Sequence, residues 1–144
     1  MNGAIMKKSF IILGCYFLSV TTFAATCPSV HELTVKKESH WLAYDSDSGQ
    51  RLTPTREAKL KHDINKFALA EWANTNDKSV IHCYYNNAHG SSMEAYFAKE
   101  SVLPLKSSKY WYKVTGMMQC AAGADKCQFQ ALPEMTHQLA SSES

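Results

Sequence analysis

A single small α+β domain, one helix packed on a curved antiparallel β-sheet and stabilised by disulfides, is the architecture this sequence predicts. Three observations predict it. A leader-like segment separates from the rest at the N-terminus, four cysteines remain beyond it, and strand-like, helical and again strand-like segments follow in that order.

The leader comes first. Lys7 and Lys8 precede an apolar stretch from Phe10 to Leu18, and Thr22-Phe23-Ala24-Ala25 closes it. This is the basic, apolar and small-residue order of a cleavable secretory signal peptide. Cleavage is expected after Ala24, with Ala25 as the alternative. Residues 1–24 then form the signal peptide, 25–133 the domain and 134–144 a flexible C-terminal tail. Met6 opens an equally good leader. The apolar run is shorter than the about 20 residues of a membrane span and is broken by Ser19, Thr21 and Thr22, so no stable span is expected. Gly14-Cys15 would suit lipidation, but Leu13 is bulky and the chain stays apolar after Cys15. The short leader fits a bacterial envelope protein, with the periplasm as the expected compartment.

Removing Lys7 and Lys8 from the fifteen Lys and Arg leaves thirteen, against thirteen Asp and Glu. A neutral chain without a basic run argues against nucleic acid, where phosphate neutralisation supplies most of the affinity. Cys15 leaves with the leader. Cys27, Cys83, Cys120 and Cys127 remain, which in an exported chain suggests two disulfides. Three pairings are possible. Cys120 and Cys127, seven apart across a loop containing Gly123, can close a hairpin-like end, which leaves Cys27 with Cys83. No Cys-x-x-Cys occurs, so neither thiol exchange nor a zinc knuckle has support.

Along the domain, Val30 to Lys37 alternates weakly and reads as an edge strand. His40 to Tyr44 and Gln50 to Leu52 flank the turn-forming run Asp45-Ser46-Asp47-Ser48-Gly49, a hairpin with a loose loop. Thr53 can cap a helix and Pro54 suits its first position. That helix is expected to run to about Ala73, because Leu60, Ile64, Phe67, Ala68 and Trp72 fall within roughly 140° of arc. Glu71 falls inside that stripe and Leu69 outside it. Asn74 to Asp77 would end it. Val80 to Tyr85 is β-branched and aromatic, a strand by propensity, and Asn86 to Ser91 a turn. Ser92 to Ala98 alternates, with Met93, Ala95 and Phe97 on one face. A connection containing Pro104 leads to Lys109–Cys120, the strongest strand by composition, with Tyr110, Tyr112, Val114, Met118 and Cys120 sharing a face. A loop from Ala121 to Lys126 and a short strand from Cys127 to Ala131 complete the domain.

Catalytic and metal motifs fail on inspection. Asp45-Ser46-Asp47-Ser48-Gly49 begins like a calcium loop, but its fifth, sixth and twelfth positions are Gly49, Gln50 and Arg56. His31, His40, His62, His82, His89 and His137 form no His-Glu-x-x-His; His82 and His89 flank a predicted turn but lack a third ligand. His82 beside Cys83 on a strand points to the opposite face and cannot serve it as a base. Ser91 and Ser92 have no nucleophile elbow around them. No cofactor, no metal site and no enzymatic activity are expected.

The aromatics are the remaining signal. Trp41, Tyr44, Tyr84, Tyr85, Tyr96, Tyr110, Trp111 and Tyr112 crowd the predicted strands, and a sheet with one helix covers one face. Trp111, alternating with Tyr110 and Tyr112 and flanked on its own face by Lys113 and Thr115, is the candidate interface.

Cys27-Pro28, the hairpin at Trp41, Cys83-Tyr84-Tyr85, Cys120 and Cys127-Gln128-Phe129 together resemble the EirA-like group. These are periplasmic proteins associated with type IV secretion in intracellular bacteria. The likeness spans about Cys27 to Pro133. It implies a non-catalytic accessory factor that supports a Dot/Icm-type apparatus, intracellular replication and virulence through contact with an envelope protein, and it transfers no catalytic residue. A periplasmic inhibitor or ligand-binding module, for instance against lysozyme, is the alternative.

Overall fold

The structure, a computed structural model, describes residues 23–35, 40–90 and 94–132. The expected leader (1–24) and tail (134–144) lie almost wholly outside these, as do Ser91, Ser92 and Met93.

A six-stranded antiparallel sheet dominates. Its strands are β1 (Leu42–Asp45), β2 (Ile64–Thr75), β3 (Lys78–Asn87), β4 (Ala95–Glu100), β6 (Tyr112–Val114) and β7 (Met117–Cys120), in spatial order β1-β4-β3-β2-β7-β6. A second sheet pairs β5 (Val102–Pro104) with β8 (Phe129–Ala131). Two short helices, α1 (Val30–Val35) and α2 (Pro54–Asp63), complete the α+β fold.

The helix expected over Thr53–Ala73 is half helix and half strand. Its start is as read: the Thr53 side chain accepts from the Arg56 amide and Pro54 sits in the first turn. At Ile64 the backbone turns extended and β2 begins. β2 pairs with β3 through two register shifts, between Ile64 and Lys66 and between Phe67 and Leu69. Each bulge adds a residue, so the side chains turned to the core are Ile64, Phe67, Ala70 and Trp72, spaced three, three and two. That spacing imitates a helical stripe. Asn76 and Asp77, both at positive φ, then make the tight β2–β3 turn.

Three further expectations change. Val30–Val35 is a helix, not an edge strand, because Ser29 and Glu32 form a capping box: the Ser29 amide donates to the Glu32 carboxylate (2.7 Å) and the Glu32 amide to the Ser29 hydroxyl (3.1 Å). The run Lys109–Cys120 is a hairpin, not one strand. β6 turns back into β7 at Thr115-Gly116, with φ of 31° and 82°, so Tyr110, Tyr112 and Cys120 do not share a face. Within the connection after Glu100, residues 102–104 form β5 and pair with β8. The expected hairpin around Trp41 is short, closed by Asp45–Gln50 and Ala43–Leu52 backbone bonds, and β1 takes β4 as its main partner.

The two disulfides are Cys27–Cys83 and Cys120–Cys127, with Cα separations of 5.9 and 5.6 Å. All four cysteines are buried with Phe97, Phe129, Ile81, Val102 and Leu33. Cross-strand partners Phe97, Cys83, Ala70 and Cys120 form one row over β4, β3, β2 and β7 on this face. Trp72 Nε1 donates to the Val102 carbonyl (2.8 Å), which fastens the small sheet over the large one. Tyr85 donates its hydroxyl to the Pro28 carbonyl, which ties down the segment before α1.

Candidate functional site

Alternation along β3 splits its residues between two faces. Ile81, Cys83 and Tyr85 are buried, whereas Val80, His82 and Tyr84 are half-buried on the other side. The same holds in β4, where Phe97 is buried and Tyr96 and Ala98 are not, and in β1, where Ala43 is buried and Leu42 and Tyr44 are not. None of the strand residues on this second face is buried; each is half-buried or exposed. It is the open face of the sheet.

An aromatic ladder crosses it. Tyr44 on β1 stacks on Tyr96 on β4, with centroids 5.8 Å apart and planes 16° from parallel. Tyr96 stacks in turn on His82 of β3 at 4.1 Å and leans on Tyr84 at 5.4 Å. The ladder then becomes polar. His82 Nδ1 lies 3.8 Å from Glu71 Oε1 on β2, and the Gln119 amide on β7 donates to the other Glu71 oxygen at 3.1 Å. Cross-strand pairing sets this sequence: Ala98 opposes His82, His82 opposes Glu71, Glu71 opposes Gln119, and Gln119 opposes Tyr112. Beside it a cleft of about 450 Å³ is lined by Leu42, Val80, Ala98, His82 and Tyr96, with Glu100 at its rim.

The electrostatics follow from this packing. His82 first, then Gln119, hold the Glu71 carboxyl below its usual range. Burial, aided by the Glu71 charge, pushes the Tyr84 hydroxyl well above its usual value; burial first, then the neighbouring Tyr44, raise that of Tyr96. Both phenols therefore stay neutral across ordinary pH and offer hydrogen-bonding hydroxyls at the edge of a stacked row.

Glu71 and His82 could move a proton, but no nucleophile stands beside them among the described residues. Cys83 is on the opposite face and locked in a disulfide. No group of three metal-ligating side chains occurs among the described residues. His82 and His89 line different clefts. The Asp45 loop is filled by its own chain. Its carboxylate accepts from the Ser48 amide and hydroxyl and the Asp47 amide, and binds Arg56 at 2.7 Å. Those contacts, led by Ser48 and Arg56, hold Asp45 far below the usual carboxylate range.

The expected Trp111 interface is differently disposed. Trp111 precedes β6, packs half-buried against the core and donates its indole N–H to the Gln128 carbonyl at 2.8 Å. Lys113 on β6 and Thr115 in the turn are exposed, but they share no strand face with Trp111. Tyr112, expected to share a face with Cys120, is 47% exposed, whereas Cys120 is buried. The ladder was the residue set that sequence reasoning passed over. Its signal is the alternation of Val80, His82 and Tyr84, which the helix-like stripe through Glu71 masks.

A family model described as a protein of unknown function (DUF3757) matches residues 21–130. No curated protein and no solved structure matches the chain.

Proposed function

The chain belongs to the DUF3757 family, proteins of unknown function, and we propose that it is an exported, non-catalytic binding module that works by protein contact through the open face of its sheet. The observation that carries this reading is the ladder Tyr44–Tyr96–His82–Glu71–Gln119, a row of aromatic and hydrogen-bonding groups left half-exposed on one side of a well-packed domain. Tyrosines with neutral hydroxyls combine large contact area with adaptable hydrogen bonds, the make-up of binding hot spots. The two buried disulfides fit an oxidising compartment, and no helix among the described residues is long and apolar enough to cross a membrane. In this reading the compartment is the periplasm, reached with a cleavable leader. The partner class that the EirA-like resemblance suggests is a component of a type IV secretion apparatus.

Site-directed photo-crosslinking in the producing cell tests it. A photoreactive residue at Tyr96 should give a discrete adduct, and one at exposed Asn65 on β2 should give none. Mass spectrometry of the adduct decides the partner. A secretion component supports the specific reading, and a lysozyme-like enzyme moves the assignment to an inhibitor. Equal labelling at both positions, or none at Tyr96, removes the open face as the working surface.

A further inference from the structure

We infer a second working surface, at the edge-strand end of the domain: the basic and aromatic end formed by residues 105–113 and Lys126 rests on an anionic phospholipid surface. The charge of the chain is unevenly placed. Residues 101–132 hold Lys106, Lys109, Lys113 and Lys126 against Asp125 as the single acid. Elsewhere among the described residues, ion pairs tie Arg56, Lys59, Lys61 and Lys78 to carboxylates; Lys106, Lys109, Lys113 and Lys126 enter none of these pairs, and neither do the scattered Arg51, Lys66 and Lys99. Two of the former four gather on one ring instead. Lys109 Nζ lies 5.5 Å and Lys126 Nζ 5.7 Å from the centroid of Tyr110. The Ser108 hydroxyl donates to the Lys126 carbonyl, and the Leu105 amide to the Gln128 carbonyl, which holds the turn carrying Lys106 against the same loop. All four lysines are exposed.

The segment Lys109-Tyr110-Trp111-Tyr112-Lys113 adds the second half of the match. Tyr112 lies on β6, the edge strand, on the face of Gln119, and is 47% exposed; Lys113 follows it on the other face, and Trp111 is turned inward onto the Gln128 carbonyl. A purely ionic partner would need only the lysines. Lysines that flank tyrosine and tryptophan fit the headgroup layer, where amphipathic rings settle at the boundary and ammonium groups meet phosphates. A surface of this kind gives reversible contact, not insertion.

Sedimentation of the disulfide-bonded chain with lipid vesicles tests this. The chain should partition onto vesicles of phosphatidylcholine mixed with phosphatidylglycerol and stay in solution with phosphatidylcholine alone. At about fivefold per lysine, Lys109→Gln with Lys126→Gln should weaken partitioning about 30-fold, and Tyr112→Ser should weaken it several-fold at unchanged charge. Lys59→Gln with Lys61→Gln, which removes the same charge from α2, should change it by less than about twofold. No partitioning onto the mixed vesicles overturns the proposal. So does equal loss in the α2 pair, which would mean bulk charge alone. Competition by inorganic phosphate at low concentration would overturn the lipid and leave a site for a soluble anion. Tyr96→Ser should leave partitioning intact, so failure of the open-face reading and of this one are separable.

Discussion

Two rows of residues run side by side across the same strands, one position apart, and do opposite things. Phe97, Cys83, Ala70 and Cys120 form the inner row; Ala98, His82, Glu71 and Gln119 form the outer one. In the inner row every member is fully buried, both disulfides attach to it, and a small alanine lets the two cystines flank it. The outer row is half-exposed, polar at its centre and aromatic at its flank. The period-2 geometry of a strand lets a single segment such as His82-Cys83 serve stability and contact at once. The difference teaches where each should be sought: substitutions that unfold lie on odd-numbered positions of β3, and those that alter contact lie on even ones.

The largest effect tests the inner row. Phe97→Ala should cost about 3–5 kcal/mol in urea unfolding with disulfides intact, since a fully buried ring leaves a cavity that strands cannot collapse around. Next come the cystines. The span of 56 residues between Cys27 and Cys83 predicts a loss of about 4 kcal/mol on replacing both by Ala, against about 2.4 for Cys120 and Cys127 seven apart. If the shorter bridge proves the costlier, chain entropy is not what these bonds supply. Tyr85→Phe, which leaves the ring and removes the bond to the Pro28 carbonyl, should cost about 1–1.5 kcal/mol. On the outer row, His82→Ala should cost about 1 kcal/mol or less yet abolish the adduct formed from position 96. A loss as large as that of Phe97→Ala would erase the distinction between the faces.

The smallest effect is in pH. The folded Glu71 carboxyl is held below the ordinary value of 4.5, by His82 first and Gln119 second. Stability from this group is therefore complete above the unfolded value and lost as pH falls through the lower folded one. The stability gap between the wild type and Glu71→Gln should shrink as pH drops below that of a free glutamate. A gap that instead widens on acidification would mean that the carboxylate is not what His82 and Gln119 stabilise.

Much of the inner row was legible in the sequence. The four cysteines, the β3 strand and the shared face of Ala95 and Phe97 follow from composition and alternation, and the observed bridges are one of the three pairings that the sequence allows. The outer row was hidden by three local devices. Bulges between Ile64 and Lys66 and between Phe67 and Leu69 respace the core residues of β2 to a helix-like period and so put Glu71 in the wrong element. Thr115, β-branched at a positive φ that such residues rarely adopt, concealed a turn that only Gly116 hinted at, and this reversed the placing of Trp111 and Tyr112. The Ser29–Glu32 box was present as a pattern, but weak alternation after it outweighed a six-residue helix.

The order of the cystines has a consequence for how the chain acquires them. Among the described residues, a polypeptide threaded N-terminus first presents Cys27, Cys83, Cys120 and Cys127 in that order, and the bonds join the first of these to the second and the third to the fourth. An oxidase that pairs thiols as they emerge therefore makes the right bonds on the first pass. Maturation of this domain should need an oxidant but no reshuffling of mispaired bridges, so loss of a disulfide isomerase should leave its yield unchanged.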